Sequence, residues 1–471
     1  MTRINGPHDR LSAAERFGYG FGDFGFNLFF TTASLFLLFY YTDVLGLSPS
    51  TAGWVFAGAL VWDAVFDPLM GLLASRTRTR WGRYRPYILL GAAPLAASWA
   101  LMFLPTAFTG AALVIFAAGT HILFRTLFAV VCMPYLALSA ALTSDSKERG
   151  AIAGIRMVAA SGCGLLSAVL TLTLVKLFGG GQTGFFWVAV IYGLIAIAVL
   201  MVVFFTTRER AAVDDGHVVP FGDMVRMLGR NTAFWAVSAA MLLTAVGNTL
   251  FQKTVPYYFK YVLQREDLIG PALGVLAGCV MLSIPGWNWL MKRTSKRNTW
   301  IVGSLIGVVG FAALWMAPSQ PGPILATFVL LGASAGAGYL GFWSMMPDTV
   351  EIGEWQSGVR AEGAVFGLVS LLQKAGLGLA AAGLGELLTV IGYRPNLPQT
   401  ADTLASMRII MIAAPALLSV TAALAIAFYK IDHRQHGRIV RSLNRRRDRA
   451  EAAARRTSDI QPQIKPDLQS L

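Results

Sequence analysis

Two carboxylates, Asp63 and Asp67, stand four residues apart in the apolar stretch WDAVFDPLMG, which runs directly into the arginine-crowded RTRTRWGRYRP. On a helix that spacing puts both on one face. A carboxylate inside a bilayer is costly, and two within one turn repel each other. The pair is therefore expected to bind a cation, share a proton or meet a basic side chain. Asp67 lies about two turns ahead of Ser75, roughly 12 Å at 1.5 Å per residue, too deep for an easy ion pair with the loop arginines. Lys374, about ten residues into its own apolar run, is a second charge that a surface role explains poorly. The chemistry expected is ion binding that drives transport. No nucleophile, base and oxyanion set stands on any loop, and no phosphate-cradling Gly-Lys-Ser/Thr loop is present, so neither an enzyme nor a bound cofactor is expected.

The chain that must position these groups is 471 residues long, 55% hydrophobic and only 14% charged, with a mean hydropathy of +0.58. Soluble domains carry roughly a quarter charged residues, so this composition describes a polytopic membrane protein. The net charge of +14 sits in short loops and in the tail from Arg434 to Arg456. That distribution follows the positive-inside rule and argues against nucleic acid as a partner. Cys132, Cys163 and Cys279 lie in apolar segments without ligand spacing and are assigned to packing.

A spanning helix needs about 20 mostly apolar residues. Twelve such runs are expected, near 17–41, 51–75, 87–106, 110–140, 151–177, 184–206, 231–262, 268–291, 299–317, 323–347, 364–391 and 407–430. The fold class expected is all-α and membrane-embedded, with twelve helices in two pseudo-symmetric bundles of six. The divisions are 1–206 for the first bundle, 207–230 for a middle loop, 231–430 for the second bundle and 431–471 for a basic tail. Alternate loops hold nearly all the Lys and Arg, so both termini are expected in the cytoplasm, on a protein of the cell inner membrane. The halves echo each other. Pro68 is followed seven residues on by Ser75 and a basic run, and Pro285 seven on by Lys292 and RTSKRN. CMPYLALSAALTSDSKERG and SMMPDTVEIGEWQSGVRAEG each place a Met-Pro pair near the end of a fourth helix, before a charged loop. Such duplication suggests two bundles rocking about a central site.

With FGYGFGDFGFN, YYTDVLGLS, WDAVFDPLMG, RWGRYRP, KERGAIAGIR, DTVEIGEWQSGVRAEG and LLQKAGLG in hand, the chain resembles the glycoside, pentoside and hexuronide to cation symporters of the major facilitator superfamily. The likeness covers about residues 15 to 430. It implies a two-bundle fold and symport of a small solute with a coupling cation. It also implies that Asp63 and Asp67 are the cation site and that Lys374 balances their charge when no cation is bound. Arg156 and Tyr339 then fall at solute positions, as do Asn27 and Cys132, which replace acids of the family's galactoside carrier. Arg149, Asp348, Glu351, Glu354 and Arg360 match charges that close an inner gate by pairing across the halves.

Departures from the pattern shift the expectation. Phe66 and Ala129 stand where two oxygen ligands for sodium would be, so a proton is favoured, with sodium at Asp63 and Asp67 as the alternative. Phe26, Asn27, Cys132 and Leu136 remove hydroxyl acceptors for a galactoside. Arg125 and His121, one turn apart, join Arg156 and Lys374 as basic groups that favour an anionic solute. A polar pairing between helices would equally explain Arg125 and His121. An acidic glycoside of the hexuronide type and an anionic amphiphile such as a lysolipid both remain open, as do a proton-coupled exporter and a non-transporting sensor. The partners expected are the solute, its cation and membrane lipid, with the monomer as the working unit. The arginine-rich tail reads either as a basic helix on the inner leaflet or as a solvated extension.

Overall fold

The computed structural model describes residues 11–143, 145–210, 221–318, 320–359, 362–431 and 433–460. These are almost entirely helical, with a single isolated bridge between Thr79 and Gly82. Helix α1 (Ala13–Phe39) opens on a capping box in which Ser12 and Glu15 satisfy each other's backbone N–H groups. It continues as a π-helical turn, Tyr40–Val44. Then come α2 (Pro49–Arg76), α3 (Arg85–Met102), α4 (Gly110–Leu142), α5 (Ser146–Leu177) and α6 (Gly181–Thr206). A short α7 (Phe221–Arg230) precedes α8 (Thr232–Tyr257), which also ends in a π-turn, Tyr258–Val262. The second half is completed by α9 (Ile269–Arg293), α10 (Lys296–Met316), α11 (Pro321–Ser357) and α12 (Glu362–Val390). Its last span is α13 (Ala401–Arg408) joined through a third π-turn to α14 (Ala414–Ala427), and the chain finishes on α15 (His433–Ile460).

Eleven of the described helical stretches are long and apolar enough to cross a membrane. The twelfth expected span is α3, whose 18 residues include Arg85, Pro86 and Pro94 and are correspondingly less apolar. In the first bundle α1 packs on α5 and α6, and α3 on α4 and α6; in the second, α9 and α10 pack on α11, and α8 on α14. The pseudo-symmetry is visible in the prolines: Pro68 and Pro285 lie inside α2 and α9, and Pro134 and Pro347 inside α4 and α11.

Two expectations need correction. The middle connection carries α7, whose Met227 and Leu228 are buried, with Met227 against Gly353 of α11. And α11 does not end near Pro347 but runs ten residues further, to Ser357, so Asp348, Glu351 and Glu354 stand on a helix, not in a loop. Proline removes only one helical hydrogen bond. Here Lys296 donates to the carbonyl of Ser344 and Asn231 to that of Thr349, tying down both sides of the proline.

The basic loop after α2 is braced from within its own half. The Glu209 carboxylate accepts the backbone N–H groups of Arg83, Tyr84 and Arg85 at 2.8, 2.8 and 3.2 Å. The halves meet along α2–α12, α5–α9 and α1–α8. At the end opposite the basic loops this contact is close enough to require glycine. A Cβ on Gly385 of α12 would lie 2.3 Å from the carbonyl oxygen of Pro49.

Candidate functional site

Helix α2 starts on Ser48, whose hydroxyl accepts the N–H of Thr51, and it is clamped between α4 and α12. That placement carries Asp63 and Asp67 to a junction of three helices. Lys374 of α12 lies 2.9 Å from the Asp63 carboxylate and also contacts Asp67. From the other side Arg125 of α4 approaches Asp63 at 3.8 Å. Arg125 donates weakly, at 3.4 Å, to His121 one turn earlier, whose fully buried ring meets Phe56 and Tyr41 edge-on. Two carboxylates and two cations thus form a neutral cluster bridging the halves. The cluster is not saturated, because Asp63 Oδ1 and Asp67 Oδ1 are buried without a hydrogen-bond partner. A carboxylate oxygen in that condition is where an added proton or cation gains most.

Phe66 and Ala129, expected at two oxygen-ligand positions, supply no side-chain oxygen. Phe66 stacks on Trp62, with ring centroids 5.8 Å apart, and Ala129 is a buried methyl.

Beside the cluster lies a cavity of about 420 Å³, within the usual size range of a small-solute site. Arg125 and Tyr339 are among its lining residues, together with Trp300, Trp343, Asn248 and Gln373. Asn27, Cys132 and Arg156 are not. Arg156 forms a bidentate pair with Asp23 at 3.0 and 3.2 Å, over the rings of Tyr19 and Tyr135. The amide of Asn27 donates to the Asp23 carbonyl at 2.8 Å, and Cys132 packs in the core. The acid facing Arg156 is therefore one turn before the position at which the family pattern directs attention. Sequence reasoning passed over Asp23 and also Lys253 of α8, which reaches the cavity wall. Both are ionisable groups inside apolar runs, the one signal that could have found them.

At the basic end the expected gate charges hold partners nearby. Asp348 accepts Lys296 at 2.7 Å and the hydroxyl of Tyr429 at 3.2 Å; burial, then the Asp348 charge, pushes that phenol up, so it stays a donor. Glu351 meets His436 of α15 at 2.6 Å, and Arg149 donates to the carbonyl of Thr143 at 2.9 Å. Glu354 is half-buried on the same helix, and Arg360 lies outside the described residues. In this conformation Asp348 and Glu351 are thus engaged by α10, the end of α14 and the tail helix, and Arg149 by its own loop.

The opposite end is latched across the halves. Asp43, in the π-turn closing α1, accepts Lys260 at 2.7 Å, Tyr261 at 2.5 Å and Tyr393 at 2.6 Å. The amide of Asn396 donates to its backbone carbonyl at 2.7 Å. These four partners belong to the second half, Thr42 of the first half also donates to Asp43 at 2.8 Å, and the Asp43 side chain is 1% exposed.

A bundle pair clasped by buried charges around a closed-ended cavity is the architecture of a secondary transporter. The pattern of the family described as MFS/sugar transport protein matches residues 18–433. The chain is 34% identical over 429 residues to the isoprimeverose transporter of Lactiplantibacillus pentosus, covering 89% of each chain. It is 32% identical over 391 residues to the inner membrane symporter YicJ of Escherichia coli (strain K12), covering 81% of this chain and 84% of that one. Among solved structures, an inward-facing, unoccupied bacterial homologue of the human lysosomal transporter Spinster superposes with a TM-score of 0.65 at 15% identity. That match covers 91% of this chain and 99% of that one and shares the fold. The chain belongs to the glycoside, pentoside and hexuronide to cation symporters of the major facilitator superfamily. It is a multi-pass inner-membrane transporter of a glycoside-like solute coupled to a cation, and not an enzyme.

Proposed function

We propose that the protein imports its glycoside-like solute, with acidic glycosides of the hexuronide type included, by symport with a proton rather than sodium. The observation that carries this is the cluster at Asp63 and Asp67, closed by Lys374 from the other half yet left with two bare carboxylate oxygens. A cation arriving there competes with Lys374 and loosens one tie between the bundles, so ion binding and bundle movement become the same event. Phe66 and Ala129 favour the proton, because sodium needs several oxygens and a carboxylate alone can hold H⁺.

The basic loops favour an orientation with both termini in the cytoplasm. On that orientation the Asp43 latch is the outer gate, and the conformation described is closed to the outside. Asp348, Glu351, Glu354, Arg149 and Arg360 would then re-pair across the halves when the cavity opens outward.

The test is solute-induced proton and sodium entry into proteoliposomes, with neutral glycosides and hexuronides as solutes. Asp63→Asn and Asp67→Asn serve as controls. Solute-dependent acidification abolished by either substitution supports the reading. Unchanged uptake in both variants, or movement only outward, refutes it.

A further inference from the structure

Lys253 has no place in the cycle just described, yet it is a buried amine without a carboxylate partner among the described residues. It lies inside α8, 4% exposed, at the wall of the cavity. Its ammonium makes one hydrogen bond, to the carbonyl of Ser34 on α1 at 2.8 Å, and rests 3.8 Å over the ring of Phe56. An ammonium has three donors, and a carbonyl and a phenyl face do not cancel its charge. Among the described residues Lys260, Lys296 and Lys374 each pair with an aspartate, while no carboxylate pairs with Lys253.

The neighbouring charges are already matched. Asp63 and Asp67 are offset by Lys374 and Arg125, and Asp23 by Arg156. Lys253 is left as an amine on the cavity wall with no carboxylate partner among the described residues, and Arg125 shares the lining. An ionisable group inside a membrane helix that borders a cavity and lacks a protein partner is a candidate for meeting a ligand of opposite charge.

We propose that Lys253 is the anchor for a single negative charge on the solute, a carboxylate or sulfonate carried by a glycoside. Arg125 flanks it, and the amides of Asn248, Gln252 and Gln373 are available to the sugar hydroxyls. This rests on the transport reading of the same cavity and adds the residue that selects an acidic solute there. It also supplies a reason for co-loading. A cation added at Asp63 and Asp67 adds positive charge beside Arg125 and the Lys253 amine, and an anionic solute offsets it. Each ligand therefore favours the binding of the other.

The experiment measures binding to the purified full chain in nanodiscs, using matched neutral and acidic pairs. The pairs are phenyl glucoside with phenyl glucuronide, phenyl galactoside with phenyl galacturonide, and methyl quinovoside with its 6-sulfonate. At least one acidic member is expected to bind about tenfold or more tightly than its neutral partner, the size of a charge-assisted hydrogen bond. Lys253→Gln should weaken the acidic member about tenfold more than its neutral partner, and Lys253→Arg should keep the preference. Tightening of the acidic ligand as the pH is lowered from 8 to 6 is the further expected sign. Failure of every acidic member to outbind its neutral partner overturns the proposal without any variant. So does a preference that survives Lys253→Gln. Cation entry driven by neutral glycosides alone would leave symport standing and sink this inference. Acid-selective binding through Lys253 without cation entry would do the reverse.

Discussion

Lys374 of α12 touches Asp63 and Asp67 of α2 together, with its ammonium 2.9 Å from the Asp63 carboxylate. One side chain therefore neutralises the ion site and fastens the halves. In Lys374→Ala only Arg125 remains near two buried carboxylates, which then hold any available cation more firmly. Accumulation of solute against a gradient is expected to fall about tenfold or more, while exchange of internal for external solute persists because it needs no empty return. Parallel uptake and counterflow assays in proteoliposomes check this. Equal loss in both would show that Lys374 merely holds the fold.

Removing the charge at Asp43 should open the opposite end. Asp43→Asn keeps the size but leaves Lys260 unpaired, at a cost of about 3 kcal/mol to the latched state. Tyr393→Phe removes one charge-assisted bond and should cost about 1.5 kcal/mol. The readout is modification of a cysteine at Ser34 from the outer face, in a background lacking Cys132, Cys163 and Cys279. Burial, then the Asp43 charge, pushes the Tyr393 phenol above its usual value. Its contribution is therefore complete below the ordinary tyrosine range and lost only as pH rises past the raised value. Labelling rates should be flat in that term from about pH 6 to 9.

Gly385→Ala should block closure at the same end, because the added Cβ would meet the Pro49 carbonyl at 2.3 Å. Transport is expected to drop about tenfold, with cysteine labelling from the outer face increased. Gly383→Ala, two residues away with nothing within 4 Å of its Cβ, is the matched control and should transport normally.

Asp23 and Arg156 should behave as a pair. Asp23→Asn or Arg156→Gln alone leaves a partly buried charge without its partner and is expected to cost ~1–3 kcal/mol, discounted for 16% and 23% exposure. The double variant should cost less than the sum of the two. Thermal unfolding in detergent reads this, and strict additivity would mean that the two side chains do not interact.

The parts of the site written in residue chemistry were legible before any coordinates. Asp63, Asp67 and Lys374 stand out because charge inside an apolar run has few uses, and the structure brings all three together. What depended on partners far away in the chain was not. Asp23 pairs with a residue 133 positions on, and nothing local says that it, rather than position 27, faces Arg156. Asp43 lies two residues beyond the first expected span, 17–41, whereas a π-turn continues that helix and folds it under the other half. Pro347 read as a helix end because the carbonyl ties from Lys296 and Asn231 lie on other helices. Fold class needed only periodicity and length; these details needed the third dimension.

The π-turns at Tyr40–Val44 and Tyr258–Val262 give the latch a way to release without tearing. Each holds one residue more than an α-helical turn, and one residue is about 100° of rotation about the helix axis. If either turn relaxed to ordinary winding, Asp43 or Lys260 would swing away from its partner while the long shafts of α1 and α8 stayed in place. The molecule thus keeps slack wound into two helix ends, where a small unwinding yields a large change in what faces inward.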